Sequence, residues 1–338
     1  MWTLAVLAGA AAGPLYLAAR RRRVARSLKR PGGIAEGRFV RIGGVEQWIQ
    51  IRGNGSTNPI LLYVAGSGMA MEPFTRTLAA WEEHFTVVVW DRRDVGRTLG
   101  RNGAAGSAEW TFDLLADDGI ALVEYLRGHL GQDRVILLGH SQGSLVATRM
   151  VRRRPELFHA YVGVGQLADM ARNEERTHRM ALDRAHAAGN RKAVAALERT
   201  APPFPDAKAW ITKQRWSMAT DPEARAWQRG AAATVLTWPG YGPGDIYRAA
   251  TGALFLPPRL FEETMACTPE RLGTDIDVPV ILLHGADDLH TLPDLAEEYL
   301  AAVRAPAKAF VRLPGVGHLG PLSRPDLYLD ALLARVPA

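Results

Sequence analysis

The stretch at residues 134–143, Arg-Val-Ile-Leu-Leu-Gly-His-Ser-Gln-Gly, constrains the fold of this chain more than any other. Its short apolar run with β-branched residues predicts a buried strand, and the residues after it are typical of a helix. Ser141 therefore lies where a strand turns sharply into a helix. Gly139 and Gly143 flank it at the spacing that lets strand and helix approach closely and projects the serine hydroxyl above a sheet. We interpret Ser141 as a candidate nucleophile; the alternative is a serine that only caps the helix.

Strand patterns alternate with helix patterns in both halves of the chain. An antiparallel hairpin is predicted over residues 38–51, with its turn at Gly43 and Gly44. Besides the strand before Ser141, strands are predicted at residues 60–64, 85–90, 160–165, 278–283 and 309–313, and helices at 73–83, 112–130, 293–303 and 324–336. This alternation predicts a mostly parallel central sheet flanked by helices.

The alternation is interrupted between residues 166 and 268, where the pattern becomes helical with Pro-rich breaks. We predict that this insertion is a helical lid over the active edge of the sheet, with most of its aromatic residues used for packing. The predicted organisation is a hydrophobic anchor and basic linker at 1–35, the first half of the core at 36–165, the lid at 166–268 and the second half of the core at 269–338.

Two further residues complete a candidate catalytic constellation. A serine hydroxyl needs a histidine to take its proton, and that histidine needs an acid to orient it. Asp288 and His318 both follow predicted strands, so they are expected at the same sheet edge as Ser141. We favour Asp288 as the acid, with the adjacent Asp287 as its rival. Of the other histidines, His140 and His284 are interpreted as structural, and His290 as a neighbour of the pocket.

An oxyanion formed at this serine needs hydrogen-bond donors. We predict the backbone N–H of Gln142, directly after the nucleophile, and that of Gly66 in the loop after the strand at 60–64. The glycines of that loop also permit a dinucleotide-binding interpretation, which the preceding hairpin and Met71 at the third glycine position disfavour.

The first nineteen residues are almost wholly apolar, and residues 20–30 carry seven basic residues and no acidic one. We predict a single membrane anchor at residues 1–19 with the catalytic domain cytoplasmic; an export signal or a soluble cytoplasmic protein is the alternative. The rest of the chain is close to neutral despite a total net charge of +6, so nucleic acid is not expected as a partner. The single Cys267 excludes an internal disulfide, and no ligand spacing indicates a metal or cofactor.

Five segments together resemble one known family. These segments are residues 65–68, 91–98, 139–143, 278–288 and 313–318. On them, the chain from residue 38 to 336 resembles the α/β-hydrolase superfamily and, within it, the proline iminopeptidase-like serine hydrolase branch. The resemblance implies the α/β-hydrolase fold with a helical lid (cap) and a catalytic triad of Ser141, Asp288 and His318.

Departures from the family pattern limit what the resemblance implies about substrate. The oxyanion loop has Val64 and Ala65 where that branch places His-Gly. In the segment at 91–98, Asp94 replaces a glycine. Next to Ser141, Gln142 occupies the position where the aminopeptidases often have tryptophan. Those peptidases also hold a free amino terminus with acidic lid residues, for which the candidates here are Glu174, Glu175 and Glu198.

The sequence therefore predicts a serine hydrolase that cleaves a small, partly apolar ester, lactone or amide through an acyl-enzyme on Ser141. One alternative is an aminopeptidase for amino-terminal proline. The other is a non-catalytic protein of the same fold that binds a small molecule in its pocket. The residue pattern gives no indication of the oligomeric state.

Overall fold

The computed structural model describes residues 2–55 and 57–336, with the backbone alone for residues 2–13 and 253. The described residues form one eight-stranded sheet in the order β1-β2-β4-β3-β5-β6-β7-β8. Its strands are β1 Ile34–Ile42, β2 Val45–Gly53, β3 Ile60–Val64, β4 Thr86–Asp91, β5 Val135–His140, β6 Phe158–Val164, β7 Val280–Gly285 and β8 Lys308–Leu313. β2 runs antiparallel to β1 and β4, and the other neighbours are parallel. The predicted α/β fold with a mostly parallel sheet is confirmed.

Helices cover the sheet and fill the segment between β6 and β7. They are α1 Trp2–Ser27, α2 Gly96–Asn102, α3 Phe112–Leu130, α4 Gly143–Arg153, α5 Met170–Ala187, α6 Arg191–Arg199, α7 Ala207–Thr220, α8 Pro222–Thr237, α9 Pro243–Thr251, α10 Pro258–Met265, α11 Pro269–Leu272, α12 Pro293–Ala302, α13 Gly320–Ser323 and α14 Pro325–Leu333. Short 3-10 turns lie at Glu72–Leu78, Trp81–Glu83, Ser107–Glu109, Pro155–Leu157 and Gly252–Leu254.

Apolar side chains are buried on both faces of the sheet, as expected for parallel strands covered by helices. Along β3, Leu62 and Val64 belong to the core on one face, whereas Leu61 and Tyr63 belong to the core on the other. Because side chains alternate along a strand, this run of five apolar residues supplies both cores at once.

The helix predicted at residues 73–83 is wrong: the segment forms two short 3-10 turns. The Thr75 hydroxyl donates to the Glu72 carbonyl at 2.9 Å, so the side chain competes for an acceptor that an α-helix would use. Glu82, in the second turn, accepts from Arg52 at 2.7 Å and from Arg30 at 2.6 Å. Long-range ion pairs therefore fix this segment instead of local helix propensity.

The inserted helices are tied to the core next to the candidate site. On α5, the Asn173 side-chain amide donates to the His290 carbonyl at 2.9 Å, and its oxygen accepts from the Leu292 N–H at 3.0 Å. Farther along the insertion, α9 contacts α2, with Arg248 Nε donating to the Gly96 carbonyl at 3.1 Å. Two loops at the carboxyl edge of the sheet are therefore held directly by this insertion.

The membrane anchor predicted at residues 1–19 is not supported. None of the helices formed by the described residues is long and apolar enough to span a membrane. Of the predicted anchor, Met1 is not described, and residues 2–13 are described by their backbone alone.

Candidate active site

Ser141 occupies a strained turn between β5 and α4. Its φ of 55° lies in the left-handed region, which a residue with a side chain rarely adopts. Glycines flank it for steric reasons: a Cβ on Gly139 would lie 2.7 Å from the Ala147 side chain, and one on Gly143 would lie 2.6 Å from the Ala65 carbonyl oxygen. The Ser144 N–H donates to the Ser141 carbonyl at 2.8 Å. The sequence thus folds locally into the sharp strand-to-helix turn that its glycine spacing predicts.

The structure brings Ser141, His318 and Asp288 together in one hydrogen-bonded line. His318 Nε2 lies 3.0 Å from Ser141 Oγ, and His318 Nδ1 lies 2.9 Å from Asp288 Oδ2. Each residue follows the carboxyl end of a different parallel strand: β5, β7 and β8. This arrangement can pass the serine proton to a histidine whose orientation is fixed by a carboxylate.

Asp288, and not its neighbour Asp287, reaches the histidine. Asp288 is buried, whereas Asp287 is exposed to solvent. Three donors from its own loop hold the Asp288 carboxylate: the N–H groups of His290 and Thr291 and the Thr291 hydroxyl, each at 2.8 Å. Contacts within its own loop therefore fix the Asp288 carboxylate independently of His318.

Burial and charge act in opposite directions on this pair. Burial by itself would raise the pKa of Asp288, but the charge of His318 and hydrogen bonds from His284 and His318 hold it well below its usual value. Burial would likewise lower the pKa of His318, but the Asp288 carboxylate raises it above the ordinary histidine value of 6.5. The histidine is thus a stronger base than an isolated imidazole.

The two residues predicted to supply oxyanion donors lie beside the serine. Gln142 follows Ser141 at the amino terminus of α4, and a Cβ on Gly66 would lie 3.1 Å from Ser141 Cβ and 3.5 Å from its Oγ. In the part of the chain that the structure describes, neither N–H donates to a protein acceptor. The predicted oxyanion donors therefore lie next to the candidate nucleophile with their N–H groups free.

His140 takes part in a hydrogen-bond chain that the sequence interpretation did not anticipate. Its Nδ1 lies 3.0 Å from the Tyr63 hydroxyl, and its Nε2 lies 3.0 Å from the His318 carbonyl oxygen. Burial lowers the pKa of His140 to about 3, so its ring is neutral. Because the tyrosine hydroxyl can donate to Nδ1, the proton of the ring lies on Nε2 and is donated to the backbone of His318.

Two acidic residues at the start of α8 face His318, and the sequence analysis missed both. Asp221 Oδ2 lies 3.4 Å from His290 Nε2, and the His290 ring lies 5.3 Å from the His318 ring. Glu223 Oε1 accepts from the Ser323 hydroxyl at 2.6 Å, whereas its buried Oε2 has no hydrogen-bond partner among the described residues. The sequence does carry one signal for them: an Asp-Pro pair is typical of a helix start, and Asp221 caps α8.

The acidic lid residues suggested by the sequence lie elsewhere. Glu174 is buried in an ion pair with Lys213 at 2.7 Å, and Glu175 pairs with Arg179 at 2.9 Å on the exposed face of α5. No group of three or more His, Cys, Asp and Glu side chains in the described ranges could hold a metal ion.

Comparison with known proteins gives one family and several relatives. The model of the family described as "Alpha/beta hydrolase family" matches residues 61–331. "Probable aminopeptidase YbaC" of Bacillus subtilis (strain 168) is 25% identical over 298 residues, which cover 86% of this chain and 93% of that protein.

Solved structures that share the fold include two that each cover at least 90% of this chain. A bacterial membrane phospholipase A, described as a virulence factor, superimposes with a TM-score of 0.63 at 19% identity, covering 98% of this chain and 96% of that chain. A proline iminopeptidase-related protein from Thermus thermophilus gives a TM-score of 0.58 at 22% identity, covering 90% of this chain and 99% of that chain.

Proposed function

This chain belongs to the α/β-hydrolase family, and from that premise we propose that it is a serine hydrolase of a small, partly apolar ester, lactone or amide. The observation that carries the proposal is the line of contacts from Ser141 Oγ through His318 to Asp288, at 3.0 and 2.9 Å. The backbone strain at Ser141 supports it, because an ordinary capping serine does not need a left-handed conformation.

The first half of the proposed reaction acylates the serine. Ser141 Oγ attacks the carbonyl carbon of the substrate while His318 Nε2 takes the hydroxyl proton, and Asp288 stabilises the resulting imidazolium. The carbonyl oxygen becomes an oxyanion that accepts hydrogen bonds from the N–H groups of Gln142 and Gly66. The tetrahedral intermediate then expels the alcohol or amine, which takes its proton from His318, and the acyl group stays on Ser141.

The second half releases the acid. His318, neutral again, removes a proton from a water molecule as that water attacks the acyl carbon. The new oxyanion is held by the same two N–H groups, and its collapse returns the proton from His318 to Ser141 Oγ. The net reaction consumes one water molecule and gives a carboxylic acid with an alcohol or amine.

The inserted helices act as the lid in this proposal. Asn173 contacts the loop that bears Asp288, and Asp221 and Glu223 reach the surroundings of His318. We therefore assign residues 166–268 to the lid, with 36–165 and 269–338 as the two halves of the core. Substrate choice then depends on lid side chains more than on the triad.

A second candidate, an aminopeptidase, is favoured by one observation. Asp221 and Glu223 place negative charge near His318, and a free carboxylate oxygen on Glu223 could accept from a substrate ammonium group. The relative from Bacillus subtilis bears an aminopeptidase name. Asp221 and Glu223 are the lid acids that lie near His318. Of the acids suggested by the sequence, Glu174 and Glu175 are engaged in ion pairs of their own, and Glu198 is exposed on α6.

Labelling with a fluorophosphonate probe tests the serine mechanism. We expect the wild-type protein to be labelled and Ser141→Ala to remain unlabelled. Absence of labelling in the folded wild-type protein contradicts the mechanism and favours a non-catalytic binding protein. In a labelled protein, comparison of aryl esters with a proline amide distinguishes the two candidate activities. Glu223→Gln should lower turnover of the proline amide alone if the enzyme is an aminopeptidase.

A further inference from the structure

We propose that Arg92, held in place by Asp94, positions the Ala65–Gly66 peptide so that the Gly66 N–H faces the oxyanion. This inference rests on the proposed serine hydrolase mechanism and assigns a role to two residues outside its triad. Both residues lie in the loop after β4, where the sequence departs from the family pattern at Asp94.

Arg92 and Asp94 form a buried, two-point ion pair. Arg92 Nε donates to Asp94 Oδ1 at 3.1 Å, and Arg92 Nη2 donates to Asp94 Oδ2 at 3.0 Å. Each residue is 1% exposed. Such a fork fixes the plane of the guanidinium group, because two parallel hydrogen bonds leave it no freedom to rotate.

The remaining donor edge of Arg92 points at the oxyanion loop. Arg92 Nη1 donates to the Ala65 carbonyl oxygen at 2.7 Å. This charge-assisted hydrogen bond fixes the direction of the Ala65 carbonyl group. By fixing the guanidinium group of Arg92, Asp94 therefore also fixes the Ala65 carbonyl in a loop that is distant in sequence.

The direction of the Ala65 carbonyl determines the direction of the Gly66 N–H. The C=O and N–H of one trans peptide lie in a common plane and point in opposite directions. Since Arg92 binds the carbonyl oxygen, the Gly66 N–H points away from Arg92. Gly66 itself is close to the nucleophile, because a Cβ built on it would lie 3.1 Å from Ser141 Cβ and 3.5 Å from Ser141 Oγ. A free N–H beside the nucleophile is what a developing oxyanion requires.

A neighbouring ion pair provides a matched control. Arg93 Nη2 donates to Asp118 Oδ1 at 2.9 Å, and the same nitrogen donates to the Gly43 carbonyl. This pair has the same residue types and adjoins Arg92 in sequence, but it holds the hairpin turn and does not contact the oxyanion loop. Arg93→Gln should therefore show the loss of stability that follows from breaking such an ion pair, without any change in the position of the Gly66 N–H.

The kinetic test compares Arg92→Gln with Arg93→Gln on an aryl ester. Loss of an oxyanion donor costs about 10²–10³-fold in kcat, so a misdirected donor should cost roughly 10–100-fold. We expect this fall in kcat for Arg92→Gln with KM within about twofold, and a parallel loss of affinity for a trifluoromethyl ketone, whose adduct with serine carries an oxyanion. Arg93→Gln should keep kcat and inhibitor affinity close to wild type. Equal effects of the two variants would overturn the proposal.

A second readout does not depend on activity. In protein labelled with ¹⁵N-glycine and ¹³C-carbonyl alanine, the Gly66 amide resonance should shift in Arg92→Gln and stay in place in Arg93→Gln. If Arg92→Gln fails to fold, Arg92→Lys replaces it, since one ammonium cannot make both the fork and the Ala65 contact. An unmoved Gly66 resonance contradicts the positioning role. An inactive, unlabelled wild-type protein contradicts the proposed function instead, and the resonance still decides the positioning.

Discussion

Gly143 lies so close to the end of β3 that a Cβ on it would overlap the carbonyl oxygen of Val64. The first turn of α4 therefore presses directly on the strand that leads into the oxyanion loop. This contact couples the position of Ser141, two residues earlier, to that of Gly66, two residues after Val64.

Replacement of Gly143 should disturb stability and catalysis together. Because the obstructing atom is backbone, Gly143→Ala must push α4 and β3 apart, which we expect to cost about 1–3 kcal/mol in the free energy of unfolding. The altered distance between nucleophile and oxyanion donors should lower kcat by roughly 100-fold. Urea denaturation and ester hydrolysis measure the two effects.

Gly128 is the control for that variant. It lies on the exposed face of α3, with nothing within 4 Å of a Cβ built on it. Gly128→Ala should stabilise the protein by about 0.5–1 kcal/mol, because alanine is the better helix residue, and should leave kcat unchanged. A Gly143→Ala variant as stable and active as Gly128→Ala would contradict the predicted contact.

The pH dependence of kcat/KM should follow His318. The histidine accepts a proton only when neutral, so activity is lost as pH falls through its pKa. Because Asp288 raises that pKa, the midpoint of the acidic limb should lie above the ordinary value of 6.5. Hydrolysis of an aryl ester in a series of buffers gives the midpoint.

Asp288→Asn should move this limb in the opposite direction. Removal of the carboxylate takes away the strongest of the charges that raise the pKa of His318 against burial, since Glu223 and Asp221 contribute less. The midpoint should therefore fall as kcat drops by about 10⁴-fold. The exposed Asp287→Asn variant is the control and should retain the wild-type profile. A larger effect of Asp287→Asn would identify that residue as the acid.

Removal of the Tyr63 hydroxyl should affect the catalytic base through His140. Tyr63→Phe leaves His140 Nδ1 without its donor, which we expect to cost about 1–2 kcal/mol in stability. The loosened His318 backbone should lower kcat about threefold to tenfold without a change in KM. Tyr299→Phe loses a comparable bond, to the Gly273 carbonyl at 2.9 Å, outside the site. Tyr299→Phe should be less stable than the wild type but should keep its kcat. Equal kcat values for Tyr63→Phe and Tyr299→Phe would exclude this positioning role.

The Lys213–Glu174 pair should contribute strongly to the packing of the inserted helices. Both side chains are at most 2% exposed, so Lys213→Met leaves a buried carboxylate without its counter-ion. We expect Lys213→Met to lower the free energy of unfolding by about 3–5 kcal/mol. The double variant Lys213→Met/Glu174→Leu should recover part of this loss, because it also removes the buried carboxylate. The exposed Arg179–Glu175 pair is the comparison, and Arg179→Ala should cost no more than about 0.5 kcal/mol. Similar losses at the two sites in urea denaturation would contradict the prediction.

The parts of the fold that depend on local signals could be predicted from the sequence. α3 has the predicted bounds, because Thr111 accepts from the Leu114 N–H at its start and Gly131, with φ of 68°, ends it. The approach of Ser141, Asp288 and His318 followed from their positions after three parallel strands, since the carboxyl ends of such strands meet at one edge.

Features that depend on tertiary contacts could not be predicted in this way. The sequence favoured Asp288 over Asp287, but the reason that Asp288 is the buried carboxylate, its hydrogen bonds from Thr291, is visible only in the structure. The role proposed for the Arg92–Asp94 ion pair depends on its contact with the Ala65 carbonyl, which lies far away in sequence. Likewise, Asp221 and Glu223 reach the surroundings of His318 through the path of the inserted helices. The Asp-Pro pair signals where α8 begins, but it does not indicate where that helix lies relative to His318.

The order of the strands also has a consequence for synthesis of the protein. β5 leads into Ser141 at the centre of the sheet, whereas His318 follows β8, which occupies the edge and is the last of the described strands to leave the ribosome. A nascent chain thus completes its nucleophile and oxyanion loop long before it has a base to activate them. Under the proposed mechanism, a chain in which β8 has not docked lacks the base that activates Ser141, so hydrolysis requires all eight described strands to be in place.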